Sequence, residues 1–271
     1  GNFLGPFIFG VAVAKTIGEG IVDPTHISMQ VILATLGSSI FWNLITWFFG
    51  IPSSSSHALI GGLVGAVAVS VGLQAIHPEG LIKVAVALFG SPVIGLVLGY
   101  LMTKLIFLLA RNAHPRINGF FRGAQVLTGV ALSLSHGTND AQKTMGIITL
   151  ALVTGGFLTE FAVPVWVIIL CAGMIAAGTA LGGWKLIRTL GGKFYKIRPL
   201  DGFTSQLASA VVILSASLIG GPVSTTQVVS STIMGVGAAE RLNKVRWGVA
   251  KEIAVAWLLT IPATALVGAG I

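Results

Sequence analysis

The sequence predicts an all-α polytopic membrane protein built of two inverted repeats, with re-entrant helical hairpins and a broken helix. Three observations predict it. Of 271 residues, 54% are hydrophobic and only 9% are charged, against about 25% charged in a soluble domain; mean hydropathy is +0.93. Apolar segments of bilayer-crossing length alternate with shorter ones that begin on polar breaks. Two of those breaks, with the helices after them, match at a constant spacing of 170 residues. A soluble chain so poor in polar side chains could not cover its surface, so lipid is the expected solvent. A disordered chain and a secreted disulfide scaffold are excluded. The single cysteine, Cys171, has no partner for a disulfide and reads as a small buried residue.

Helices are expected at about 3–14, 29–49, 57–72, 81–110, 123–134, 141–153, 163–182, 203–219, 226–239 and 247–269. The segments at 81–110 and 247–269 are long enough to cross a bilayer core, which takes about 20 residues. Those at 57–72, 141–153 and 226–239 are too short to cross alone. Each follows a polar break: PSSSSH at 52–57, SHGTNDAQK at 135–143 and PVSTTQ at 222–227. Short apolar helices hinged on polar loops mark the discontinuous helices of transporters. Such a loop is tolerated at membrane depth only where protein or water satisfies its backbone.

The repeat is read from Pro52 against Pro222, Ser54 against Ser224, Ser55 against Thr225, Ser56 against Thr226 and Gly65 against Gly235. A weaker pairing sets Lys15-Thr16-Ile17-Gly18 against Arg188-Thr189-Leu190-Gly191. The expected halves are 1–115 and 116–271. Charge decides their relative orientation. If each hairpin is re-entrant and 123–153 crosses as one broken helix, loops 111–122, 183–202 and 240–247 share one side. They hold Arg111, Arg116, Arg122, Lys185, Arg188, Lys193, Lys196, Arg198, Arg241, Lys244 and Arg246. Loops 15–28, 73–80 and 154–162 hold only Lys15. The basic side is therefore expected to be cytoplasmic, which makes the repeats inverted. The net charge of +8 then needs no nucleic-acid partner. The partner is a cell membrane, crossed several times.

The polar breaks carry the chemistry. PSSSSH and PVSTT put consecutive hydroxyls at a helix start, where free backbone N–H groups and a positive helix end await an anion. A simple N-cap uses one hydroxyl; four serines in a row exceed that need. In SHGTNDAQK, Gly137 permits a bend. Asp140 is a carboxylate within an apolar span and hence a functional candidate. With the Asn139 amide it could hold sodium. Alternatively it could accept the proton carried by hydrogen phosphate, which would discriminate against sulfate. Lys143 could add countercharge for an anion or snorkel away. Thr138, Gln142, Lys143 and His57 are further candidates for the coupling ion; His57 could donate to the anion, carry a proton or cap a helix. His136 has the same ambiguity. Glu19 and Asp23 read as a solvated loop, and His26, His77 and His114 have no cluster around them. Glycines at Gly61/Gly65 and Gly90/Gly95 read as close helix packing. No nucleotide loop, hydrolase elbow or metal-protease motif is present, so no enzyme is expected.

HGTNDAQKTMGII resembles the second-copy signature of the inorganic phosphate transporter (PiT) family. IPSSSSHALIGGLVGA and GPVSTTQVVSSTIMGVGA resemble its two hairpin tips, and AVAKTIGEGIVDP a segment of its first repeat. The resemblance covers essentially the whole chain, in order. It implies a secondary active phosphate symporter driven by a proton or sodium gradient and working by alternating access, with no other cofactor. It places phosphate on Ser54, Ser55, Ser56, Asn139, Asp140, Ser224, Thr225 and Thr226, with sodium as a candidate at Asn139 and Asp140. The ending Asp140-Ala141-Gln142-Lys143 looks like the bacterial low-affinity branch. That branch implies proton coupling and, as one form of the substrate, a divalent metal-phosphate complex. A second copy of the chain is the candidate protein partner. The family carries Gly-x-Asn-Asp in each repeat, and here only Gly137–Asp140 matches. The first-copy motif is expected upstream of Gly1, so the first repeat is expected to lack its N-terminal broken helix. A permease for another oxyanion such as sulfate, and a passive anion channel, are the alternatives.

Overall fold

The structure is a computed structural model that describes residues 1–51, 53–112, 114, 116–182, 195 and 197–271. The predicted pairing at 188–191, the Lys185, Arg188, Lys193 and Lys196 part of the basic loops, and Pro52 lie outside the described residues. Among the described residues the regular structure is helical, apart from one isolated bridge between Val22 and Ile76. The helices are α1 (Gly5–Ile8), α2 (Ala12–Lys15), α3 (Met29–Phe49), α4 (Ser55–Ser70), α5 (Pro78–Leu109), α6 (Ile117–Thr154), α7 (Val165–Gly182), α8 (Pro199–Leu218), α9 (Thr225–Glu240) and α10 (Trp247–Gly270). Among the described residues, α3, α5, α7 and α10 are long and apolar enough to cross a membrane. Their flanks expose Phe41, Phe48, Val86, Val93, Leu101 and Leu258, the surface expected where lipid replaces water.

The same order of elements recurs about 170 residues on. Helices α3, α4 and α5 begin at 29, 55 and 78; α8, α9 and α10 begin at 199, 225 and 247. Pro92 inside α5 is matched by Pro262 inside α10. The halves exchange partners: α4 packs along α10, and α9 along α5. Glycine makes both crossings. A Cβ on Gly65 would sit 2.0 Å from the Ala265 carbonyl oxygen, and one on Gly235 would sit 2.1 Å from that of Leu96. Backbones this close need a residue with no side chain. Gly61 and Gly95 also pack closely, but Gly90 faces open space, so the Gly90/Gly95 pair is not the packing motif its spacing suggested.

The hairpin helices end before their prolines, as expected, while two other local expectations are corrected. Helix α3 stops at Gly50 (φ 66°), and α8 is followed by Gly220 (φ 74°). A left-handed glycine terminates a helix without steric cost. The predicted helix 3–14 is split into α1 and α2, with Gly10 at φ 77° and a π-helical turn at Thr16–Gly20. The predicted break at 135–143 is absent: α6 runs unbroken through it for 38 residues, about 57 Å at 1.5 Å per residue. Gly137 is a packing residue there, because a Cβ would meet the Asn2 backbone at 2.4 Å. The hydroxyls of Ser135 and Thr138 bond back to Ala131 and Leu134 carbonyls of the same helix. The remaining polar side chains find partners on other elements, so the backbone has no need to open.

At the basic end, Arg198 and Lys244 pair with Glu240 and with the buried Asp201, tying the start of α8 to the end of α9. Asp23 accepts from Thr25 and lies 3.3 Å from His26 on an exposed turn, the solvated loop its sequence suggested.

Candidate functional site

Both hairpin tips end against the middle of α6. Ser54 caps α4 by accepting from the His57 N–H at 3.1 Å, and Ser224 caps α9 by accepting from the Gln227 N–H at 3.4 Å. The two caps are equivalent at the 170-residue spacing. So are His57 and Gln227, which meet across the tips at 3.4 Å. Part of each hydroxyl run is therefore ordinary capping.

Helix geometry gathers the other side of the site. His136, Asn139, Asp140 and Lys143 recur at intervals of three and four, so they share a face of α6. Asn139 donates to the Ser217 hydroxyl (2.8 Å) and the Gly221 carbonyl (3.2 Å), and accepts from the Val223 N–H (3.2 Å). It stitches the second tip onto α6. Lys143 Nζ donates to Asp140 Oδ1 at 2.5 Å and to the Ser56 hydroxyl and the Val223 carbonyl at 2.6 Å. The Ser56 hydroxyl in turn donates to the Val223 carbonyl at 3.0 Å, joining the two tips directly. The other Asp140 oxygen accepts from Thr225 at 3.0 Å and lies 3.1 Å from His136 Nε2. His136 Nδ1 lies 3.0 Å from Asn2 Oδ1.

The structure thus brings together Ser54, Ser56, His57, Asn139, Asp140, Lys143, Ser224 and Thr225. Ser55 is exposed and lines a cavity of about 590 Å³ with His136, Asp140, Thr144 and Cys171. Thr225 and Thr226 line one of about 320 Å³ with Asn2, His136 and Gln206. That cavity shares Leu132, Gln206 and Val229 with a larger one, about 560 Å³, which reaches Arg122, Gln125 and Arg198. Two candidates lie apart from the cluster. Thr138 is committed to its own helix, and Gln142 accepts from the Val13 and Ala14 N–H groups at 2.8 and 3.4 Å. Lys143 does not snorkel; its side chain is 5% exposed. Asn2 and Gln206 were missed. The role of His136 was legible from its four-residue spacing to Asp140, once 135–143 is read as helix. Among the described residues, no group of three or more His, Cys, Asp and Glu side chains is placed to hold a metal.

The phosphate transporter family (PHO4) matches this chain over residues 1–116 and again over 109–268. The chain belongs to that family. A protein of Rhizobium meliloti (strain 1021), named "Probable low-affinity inorganic phosphate transporter", is 47% identical over 270 residues, which is 99% of this chain and 81% of the relative. One of the same name from Bacillus subtilis (strain 168) is 46% identical over 272 residues, with the same coverage. A solved structure titled "The sodium-dependent phosphate transporter" superposes with a TM-score of 0.89 at 26% identity, covering 99% of this chain and 86% of that one. Membership makes the chain one of a family of transporters rather than enzymes, and its apolar helices fit a multi-pass membrane protein.

Proposed function

We propose that this chain carries inorganic phosphate across the membrane as a symporter, driven by a proton or sodium gradient. The observation that carries the reading is the convergence of both hydroxyl tips on one face of α6. Ser56 and Thr225 come from hairpins 170 residues apart, yet Lys143 and Asp140 hold them 2.6 and 3.0 Å away on the same helix. A symporter that rocks one half against the other needs such a site between halves. The halves are 1–115 and 116–271, inverted with respect to each other. The exchanged packing of α4 on α10 and α9 on α5 supports a two-fold relation between them. The site has one carboxylate and many neutral donors, which suits an oxyanion still carrying a proton. Phosphate contacts fall to Ser55, which faces the cavity lined by Asp140, and to Thr225 and Thr226, which face the one on the other side of His136. The cavities leading on to Arg122 and Arg198 form the path to the basic side, which is cytoplasmic.

The test is uptake of labelled phosphate into proteoliposomes, with sodium and pH gradients imposed separately and divalent cations present or absent. Accumulation against the phosphate gradient, abolished when the driving gradient is collapsed, is the expected result. Strong competition by excess sulfate would replace phosphate with a broader oxyanion specificity. Equilibration without accumulation would make the protein a passive channel.

A further inference from the structure

Lys143 occupies a place where a small cation would fit. Its ammonium is surrounded by a carboxylate oxygen of Asp140, the hydroxyl of Ser56 and the backbone carbonyl of Val223, at 2.5, 2.6 and 2.6 Å. Carboxylate, carbonyl and hydroxyl oxygens are the donor set of hard cations. The three ligands come from α6 and from both hairpin tips, so whatever cation sits there joins the mobile parts of the proposed site. An ammonium has three N–H groups, and each has one of these acceptors. None is left for an anion, so Lys143 is not a direct phosphate clamp. The cage residues therefore do not fit a sodium ion while Lys143 is present. The ion would compete with a tethered positive charge for the same oxygens, and Asn139 Oδ1, the other sodium candidate, already accepts from the Val223 N–H.

We propose that the Lys143 ammonium is a built-in cation that holds this oxygen cage, so that phosphate transport by this protein does not need sodium. The proposal rests on the symporter reading for its transport consequence, but the cage itself can be tested without transport. Purified wild-type protein should show the same thermal midpoint in sodium and in choline. Lys143→Ala empties the cage. In sodium, at roughly ten times its dissociation constant, that variant should gain about 3–5 °C over choline. In proteoliposomes under an inward pH gradient, wild-type uptake should be equal in sodium and choline. Lys143→Ala should lose uptake in choline and regain it several-fold in sodium. Lys143→Met, which fills the space without charge, should lose uptake in both. The proposal is overturned if wild-type uptake or stability requires sodium, a measurement that stands even if no variant folds. It is equally overturned if folded Lys143→Ala responds to sodium in neither assay. Should the wild type move no phosphate under any gradient, the symporter reading fails, while the thermal midpoints still decide the cage.

Discussion

Substituting Gly65 by alanine should separate α4 from α10, and the size of the effect follows from the geometry. The new Cβ would lie 2.0 Å from the Ala265 carbonyl oxygen, 2.6 Å from its carbon and 2.7 Å from its Cα. Ordinary contact begins near 3.4 Å, so one helix must retreat by about 1.4 Å. All three neighbours are backbone atoms, so no side chain can rotate away. Overpacking of this kind costs about 1–3 kcal/mol. It outweighs the helix propensity that alanine brings, about 0.5–1 kcal/mol. For a protein of this size each kcal/mol lowers the thermal midpoint by about 2–4 °C. Gly235→Ala meets the Leu96 carbonyl oxygen at 2.1 Å and should lose a similar amount. Gly90→Ala meets nothing within 4 Å and should be neutral or slightly stabilising. Thermal unfolding of the three variants in one detergent is the assay. If Gly65→Ala and Gly235→Ala melt with Gly90→Ala, the exchanged packing of the two halves is wrong.

Three further outcomes are expected. Asp140→Asn leaves the buried Lys143 ammonium without its counter-ion, a loss of about 3–5 kcal/mol for a buried pair; phosphate accumulation should vanish while the protein still inserts, and normal accumulation would remove Asp140 from the mechanism. Ser55→Ala combined with Thr225→Ala should raise the apparent KM for phosphate, whereas an unchanged KM would leave these hydroxyls as structural groups only. Tyr195 donates to the Ile233 carbonyl at 3.1 Å, and burial, aided by the nearby Asp201 and Glu240 carboxylates, raises its phenol above the usual tyrosine range. The folded state favours the neutral phenol, so its contribution is complete below about pH 10 and is lost as pH rises further. Comparing ultraviolet titrations of wild type and Tyr195→Phe checks this, and a folded-state ionisation near the ordinary value would contradict it.

The spans were legible because lipid leaves few choices: long apolar runs must be helices. Helix α3 begins and ends at the residues expected, 29 and 49. The helix starts at the tips were legible because Ser and Thr are favoured N-caps, and Ser54 and Ser224 cap there. The exchanged packing was not legible. Gly65 matches Gly235 in sequence, but nothing in the sequence says that one faces Ala265 and the other Leu96. The split of α1 from α2 was hidden for a related reason. Gly10 takes a positive φ, which glycine permits without requiring it.

The reading of SHGTNDAQK as a break carries the larger lesson. Local propensity sets Ser, Asn, Asp and Gly against helix because their side chains compete for the backbone. That competition ends when tertiary partners claim the side chains. Asn139 is taken by Ser217, Gly221 and Val223, and Asp140 by Thr225, His136 and Lys143. The backbone keeps its ladder, and the side chains at 136, 139, 140 and 143 project from one rigid face. A loop would have held the same residues with more freedom. An unbroken helix holds Asp140 and Lys143 in fixed register, so in the proposed symporter any motion at the site would fall to the hairpin tips. Those tips are anchored by hydrogen bonds to side chains, and under the proposed function these are the bonds an anion would replace without breaking the helix that presents them.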